Sequence, residues 1–316
     1  QFGKNLIASN IDENFKNYIS LKDYLSKNSM ILQSLDDNGW IIGNEKSNKL
    51  KNKIETNSKT IKEMGYYIVR GFTTGCNEAF YINEETKNKI IAEDKNASKY
   101  IKPIVRGRDL KKWLLHFDNV YALTITKGFD IEKYPSIKKH LTTFKDKLES
   151  KTGNAKWYEL QANPSKEIID SFSKEKIIWG ELSDNAKFVY DKKGYFLDAT
   201  VFLMIGKNIK LILSILNSKV SQWYFEQIST SSGMGTNRWK KYKIEQFPIK
   251  NISEKEQKPL IDLIDRILSI TDEEDYLKNT EKQAIVKAYE KKIDKLVYEI
   301  YELTPEEIKI VDGFEK

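Results

Sequence analysis

The spacing of apolar residues changes near Ser253, and this change constrains the fold more than any other feature of the chain. Downstream, Leu260, Leu263, Ile264, Ile267 and Leu268 recur at helical spacing, as do Ile285, Ala288, Tyr289, Ile293, Leu296, Val297, Ile300 and Tyr301. Thr304-Pro305-Glu306-Glu307 reads as a further helix start, with Thr as N-cap, Pro at the first helical position and Glu at the third. Upstream, short β-branched and aromatic runs alternate with helical stretches and glycine-containing turns. The chain therefore reads as an α+β (mixed α/β) body at 61–253, preceded by a connector and helical lead-in at 1–60 and followed by a small helical tail at 254–316. The tail does not sustain a heptad, so a hairpin packed on the body is expected rather than a coiled coil with another chain.

Residues 21–25 fit one or two amphipathic turns, and Ile41-Ile42-Gly43 is a short apolar stretch. Residues 46–62 predict a charged helix with Leu50, Ile54 and Ile61 on one side. Strands are predicted at 66–69, 79–82, 102–107, 120–125, 176–179 and 187–190, with one or two more in 195–205. Residues 134–151 read as one helix opened by Pro135, and 209–225 as one strongly apolar helix. Gly233-Met234-Gly235 marks a flexible loop, and 243–249 an extended segment.

Charge divides at the same place. Residues 254–316 hold 11 basic and 17 acidic side chains, a net of −6; the whole chain is +7, so 1–253 hold 42 basic against 29 acidic, a net of +13. A cationic body attracts polyanions, because neutralised phosphates release condensed counterions. An ordinary Lys-rich surface would give the same totals. The arginines carry more information. Only five of the 53 basic residues are Arg, and Arg70, Arg106, Arg108 and Arg238 fall in glycine-containing, loop-like segments. The guanidinium fork matches a guanine edge or a phosphate, whereas Lys is a point charge.

The 40% hydrophobic content supports a real core. No apolar run approaches the roughly 20 residues of a membrane span, so no membrane association is expected. A single cysteine, Cys76, excludes an internal disulfide and a cysteine-cluster zinc site, as befits a cytoplasmic protein. The start at Gln1 lacks both an apolar signal region and an initiator Met, which suggests a domain cut from a longer protein.

Signatures of catalysis are missing. The six prolines include no adjacent pair, so there is no Asn/Asp-Pro-Pro-aromatic loop of the kind that holds a target amine; Asn163-Pro164-Ser165 does not qualify. No glycine-rich strand–loop–helix suits S-adenosylmethionine, and there is no phosphate-binding P-loop. Two histidines, His116 and His140, cannot make a His-rich metal site or an HNH nuclease, and Glu93-Asp94-Lys95 fits a nuclease core at chance level. The chain alone is expected to hold no catalytic residue, metal or cofactor.

Several blocks together resemble one family. These are 68–80 (Ile-Val-Arg-Gly-Phe-Thr-Thr-Gly-Cys-Asn-Glu-Ala-Phe), 102–110 (Lys-Pro-Ile-Val-Arg-Gly-Arg-Asp-Leu), Trp157-Tyr158-Glu159-Leu160, 176–181 (Lys-Ile-Ile-Trp-Gly-Glu), Leu216-Asn217-Ser218-Lys219 and Phe247-Pro248-Ile249. Their order is similar to that in the TaqI-like C-terminal specificity (target-recognition) domain of adenine-specific DNA methyltransferases and Type IIG restriction–modification enzymes. The resemblance covers roughly 60–250. Phe72, where an aliphatic residue is expected, and Lys151, where an Arg often sits, depart from the pattern through a changed target or drift.

The resemblance implies a prokaryotic protein that reads double-stranded DNA for a fused or separate methyltransferase or endonuclease. S-adenosylmethionine and Mg²⁺ would then belong to the catalytic domains elsewhere, which flip the target adenine out of the stack. For the residues themselves, two readings stand throughout. Thr73, Thr74 and Asn77 either bond phosphate or adenine edges or belong to a structural turn whose loop Asn77 caps. Of Arg106 and Arg108, one is expected on DNA and the other paired with Asp109, with Lys111 close by. Trp157 and Gln161 either border DNA or belong to the core. Glu181 accepts from a cytosine amino group or forms a salt bridge, with Ser183 and Asp184 beside it. Ser231, Ser232, Gly233, Gly235, Thr236, Asn237, Arg238, Lys240 and Lys241 form a polar, basic loop suited to phosphate, or else a solvated hairpin. The competing functions are a complete metal-dependent nuclease whose site is unrecognised, and a protein-interaction scaffold working through the acidic tail.

Overall fold

The computed structural model describes residues 6–8, 13–32, 45–162, 164–228 and 237–313. A four-stranded sheet stands at the centre in the order Val189–Asp191, Lys176–Gly180, Val201–Ile205, Tyr67–Arg70, with every neighbour antiparallel. Its strands are apolar at nearly every position because both faces are covered. Successive side chains point to opposite faces, so Ile177, Trp179, Phe202 and Met204 enter one core while Ile178 and Leu203 enter another.

The second core is closed by another four-stranded sheet, ordered Phe196–Leu197, Ile101–Val105, Tyr121–Leu123, Tyr81–Ile82, with the first pair parallel and the others antiparallel. Between Leu197 and Val201 the chain crosses from this sheet to the central one. Phe72 bridges Asp198 at the crossing. A Cβ on Gly71 would come within 2.2 Å of the Leu197 and Asp198 carbonyl oxygens, so only glycine lets the two strands approach this closely. Phe72 itself is buried edge-on against Phe172 and Phe196, so its departure from the family pattern is a matter of core packing.

The first core takes in Leu50 and Ile54 of the lead-in helix Glu45–Glu55, the helices Ile209–Leu216 and Lys219–Ile228, and the tail. The tail consists of Glu254–Thr271, Thr280–Ile300 and Pro305–Asp312. Capping boxes start the first and third helices, Ser253 with Glu256 and Thr304 with Glu307. Leu260, Ile264, Ile267, Ile293 and Val297 share one apolar cluster with Ile212 and Leu216 of the body, so the helical hairpin has no core of its own.

Several predicted elements change where non-local partners intervene. The 46–62 helix stops at Glu55; Asn57 turns left-handed at φ 56°, and Ser58–Thr60 becomes a strand paired with Pro248–Lys250. Ile61 is buried as expected, but from beyond that strand. Residues 79–82 are not one strand: Asn77–Phe80 makes a single helical turn, and only Tyr81–Ile82 extends. The 120–125 strand shrinks to Tyr121–Leu123. The 134–151 helix divides into Pro135–Thr142 and Lys145–Glu149. The 209–225 helix breaks at Asn217, whose buried amide accepts from the Phe188 N–H at 3.0 Å and donates to the Phe188 carbonyl at 2.8 Å. Of the expected extended segment 243–249, Lys243 and Ile244 close the short helix Lys241–Ile244, and the strand is Pro248–Lys250. The stretch Ile41-Ile42-Gly43 lies outside the described residues.

Candidate nucleic-acid interface

Strand ends from both halves of the body converge on an open concavity of about 380 Å³, lined by Arg70, Gly107, Arg108, Gly180, Glu181, Leu182, Thr200 and Arg238. Arg70 ends its strand opposite Phe202, whose ring centre lies 5.8 Å from the guanidinium carbon. Its Nη2 is 2.9 Å from Glu181 Oε2, and its Nε donates to the Ala199 carbonyl. The fork is therefore held on three sides yet remains half exposed, at 51%.

Arg106 and Arg108 flank Gly107 on one tight turn and have opposite fates. Arg106 donates through Nε and Nη2 to both carboxylate oxygens of Asp109 at 3.0 Å, and through Nη2 to Asp118 at 2.7 Å. The Arg106 backbone N–H also binds Asp109 at 2.8 Å. Its side chain is only 12% exposed, and it pulls the Asp118 carboxyl below its ordinary range. Arg106 thus builds the turn rather than offering a free fork. Arg108 is exposed and makes no ion pair or hydrogen bond among the described residues.

Arg238 is placed from the other side. Leu182–Ser183 pairs antiparallel with Asn237–Arg238, Leu182 opposite Arg238. The next residue, Trp239, is the anchor. Its ring stacks on Phe225 at 3.7 Å, and its carbonyl accepts from Trp179 Nε1 at 2.8 Å. Its own Nε1 donates to the Ser183 carbonyl at 3.2 Å, so a buried indole fixes the exposed Arg238 beside it. The Ser183 hydroxyl is taken up by the Asn185 carbonyl at 2.6 Å. Lys240 precedes the Lys241–Ile244 turn, with Lys241 exposed and 3.6 Å from Glu245. Lys111 is exposed on the hairpin Leu110–Lys111 with Leu114–Leu115, without an ion pair among the described residues.

The remaining candidates gather elsewhere, around Gly75. Thr74 is buried; its hydroxyl donates to Asn77 Oδ1 at 2.6 Å and accepts from the Cys76 N–H at 3.1 Å. It is a turn-builder, which corrects its reading as a DNA contact: a side chain 1% exposed cannot meet a base. Thr73 and Asn77 are exposed. Gln161 donates to Thr152 Oγ1 at 2.8 Å, and Trp157 packs partly buried against the second core. Lys151, half-buried with its pKa lowered by desolvation, lies 5.0 Å from the Phe80 ring centre. Ser231, Ser232, Gly233, Gly235 and Thr236 lie outside the described residues, as does the Asn237 side chain.

Three lining residues escaped the sequence reading: Leu182, 62% exposed on the rim, Thr200 and Gly180. The polar interruption Asp198-Ala199-Thr200 inside an apolar run was the available signal. The concavity as built offers arginine forks to an acceptor-rich edge. Its single carboxylate, Glu181, is engaged by Arg70.

Residues 102–249 match the model of the TaqI-like C-terminal specificity domain. This stretch is a TaqI-like specificity domain. The chain is 32% identical over 126 residues to the Type II methyltransferase M.MjaIV of Methanocaldococcus jannaschii, a match covering 38% of this chain and 40% of that protein. Its backbone is similar to that of the Type IIL restriction–modification enzyme MmeI, solved in complex with DNA, with a TM-score of 0.57 at 14% identity over 78% of this chain and 34% of that one. It also matches the type IIG restriction endonuclease BpuSI, with a TM-score of 0.47 at 15% identity over 89% of this chain and 38% of that one. The matched part is well under half the length of each relative. The likeness to MmeI is one of fold. The specificity domain supplies every lining residue of the concavity except Arg70, which reaches in from the strand before it. No helix among the described residues is long and apolar enough to cross a membrane, and none of their His, Cys, Asp and Glu side chains cluster in threes as a metal site would require.

Proposed function

We propose that this chain selects a specific double-stranded DNA sequence for a restriction–modification enzyme, and that methyl transfer or cleavage is carried out by a fused or partner domain. The observation that carries the reading is the convergence of Arg70, Arg108 and Arg238 on one concavity of a TaqI-like specificity domain. Arg108 and Arg238 act as the reading or phosphate-binding forks, since both are exposed and neither forms an ion pair among the described residues. Arg70 is a pre-oriented fork whose geometry is set by Glu181 and the Ala199 carbonyl. Pre-orientation matters because a fork already held loses less freedom on binding. Arg106 serves only to hold the turn. Exposed Leu182 suits apolar contact with a thymine methyl. The expected partner is an adenine-N6 methyltransferase using S-adenosylmethionine, a reading supported by the likeness to a Type II methyltransferase; an endonuclease partner would use Mg²⁺.

The test is enrichment of a random-sequence duplex pool on the chain, followed by sequencing. The expected result is a preferred sequence and salt-dependent retention. Retention of no duplex at low ionic strength, with the catalytic partner present, would overturn the proposal. The chain incubated alone with S-adenosylmethionine or Mg²⁺ should neither methylate nor cut.

A further inference from the structure

The turn between Leu197 and Val201 touches the elements that carry Arg70 and Arg108, although it bears no basic residue itself. The Thr200 hydroxyl accepts from the Gly107 N–H at 3.0 Å, inside the Arg106–Arg108 turn. The Thr200 carbonyl accepts from the Glu181 N–H at 2.8 Å. The Ala199 carbonyl accepts from Arg70 Nε. The Val201 carbonyl accepts from the Gly71 N–H at 2.9 Å. The turn is in turn held by Asp198, a buried carboxylate that accepts from the Thr200 N–H at 2.8 Å and its hydroxyl at 2.5 Å, while the Asp198 N–H binds the Val105 carbonyl at 3.1 Å.

Thr200 is exposed on the wall of the concavity, so burial does not explain its hydroxyl. The hydroxyl does two things at once: it accepts from the Arg108 turn and donates into the Asp198 carboxylate. A hydroxyl is the smallest group able to pass a hydrogen bond on in this way. Gly107 leaves no slack on the opposite side, since a Cβ there would sit 3.2 Å from Thr200 Oγ1.

We propose that Thr200 is a positioning residue for DNA reading, its hydroxyl fixing the spacing between the Arg108 fork and the Arg70–Glu181 pair. This deepens, and rests on, the reading of the concavity as the DNA-selecting surface. Loss of the hydroxyl leaves the forks on the protein but lets the Arg108 turn drift, so sequence preference falls while attraction to phosphate persists.

The experiment is the random-duplex enrichment, run on full-length Thr200→Val, Thr200→Ser and Arg108→Ala beside the wild type. Valine keeps the shape and removes the hydroxyl; serine keeps the hydroxyl and removes the methyl. Thr200→Val should lower enrichment of the preferred sequence about tenfold, the size of one misplaced base contact, with unselected duplex retained as by wild type. Thr200→Ser should restore the preference. Wild-type preference in Thr200→Val overturns the inference, and so does equal loss in both Thr200 variants, which would mean that shape rather than the hydroxyl matters. If Arg108→Ala also enriches like wild type, the DNA-selecting surface itself has been misassigned, a separate failure from that of Thr200.

Discussion

Five lysines upstream of the helical tail, one in the lead-in helix and four in the body, each meet a tail carboxylate, whereas Arg108, Arg238 and Lys111 have no ion-pair partner among the described residues. The tail pairs are Lys53–Glu307 at 2.7 Å, Lys112–Glu290 at 2.9 Å, Lys193–Asp272 at 2.8 Å, Lys210–Asp265 at 2.6 Å and Lys219–Asp312 at 3.2 Å. In all five the lysine lies upstream of the tail and the tail gives the acid. The tail's net −6 is thus largely laid against part of the body's net +13. Segment totals alone would assign the whole cationic body to a polyanion. The pairing shows that part of the positive charge is already answered by the tail, whereas Arg108 and Arg238 on the concavity are not. Each exposed pair is individually weak, but together they remove cations that would otherwise compete for phosphate.

The hardest blow to the arginine region is Gly71→Ala. The two carbonyls it would strike are backbone and cannot swing aside, so a loss of about 3 kcal/mol of stability is expected from urea unfolding, at the upper end of overpacking costs. A loss below ~1 kcal/mol would show that the sheets can separate at this crossing, and with them the forks. Next in size come the forks. Arg108→Ala and Arg238→Ala should each weaken binding to the enriched duplex by ~1–3 kcal/mol without lowering stability. Lys193→Ala and Lys210→Ala should leave binding unchanged, because those charges are already answered. Equal losses from both sets, measured by fluorescence anisotropy, would erase the distinction between the two regions. Smaller again is the effect of Lys111→Ala or Lys240→Ala, each expected to lower the slope of log affinity against log salt by about one.

How much of this was legible in the sequence depends on how local the cause is. The tail helices and their caps were readable, because Thr304, Pro305 and Glu307 act within one turn. Arg108 and Arg238 could be singled out because Arg is rare here and both sit beside turns. Arg106 could not be told from Arg108: Asp109 is near both, and only the fold brings Asp118 into hydrogen-bonding contact with Arg106. Thr74 looked like a ligand because exposure is not written in a Thr-Thr-Gly stretch. The helix break at Asn217 was hidden for a similar reason, since its amide serves the backbone of a residue far back in the chain. The turn at Asp198–Thr200 was submerged in an apolar run, and its importance lies wholly in whom it touches.

The finest test works on the acids rather than the lysines. Asp265→Asn with Asp272→Asn removes two tail charges that pair with Lys210 and Lys193 and are themselves half exposed or more, at 51% and 61%. Stability should fall by less than ~1 kcal/mol, since exposed pairs contribute little. If the tail only glues the helices to the body, nothing else changes. If it also withholds lysines from DNA, the double variant gains two phosphate-seeking cations. Its binding to an unselected duplex should then strengthen, and the salt slope should steepen by up to about two. Its binding to the enriched sequence should gain less, because the forks that read it are untouched. The result to watch is therefore the ratio of selected to unselected affinity. A fall in that ratio means the acidic tail helps confine DNA to the arginine concavity; a constant ratio with an unchanged slope reduces the five pairs to packing contacts.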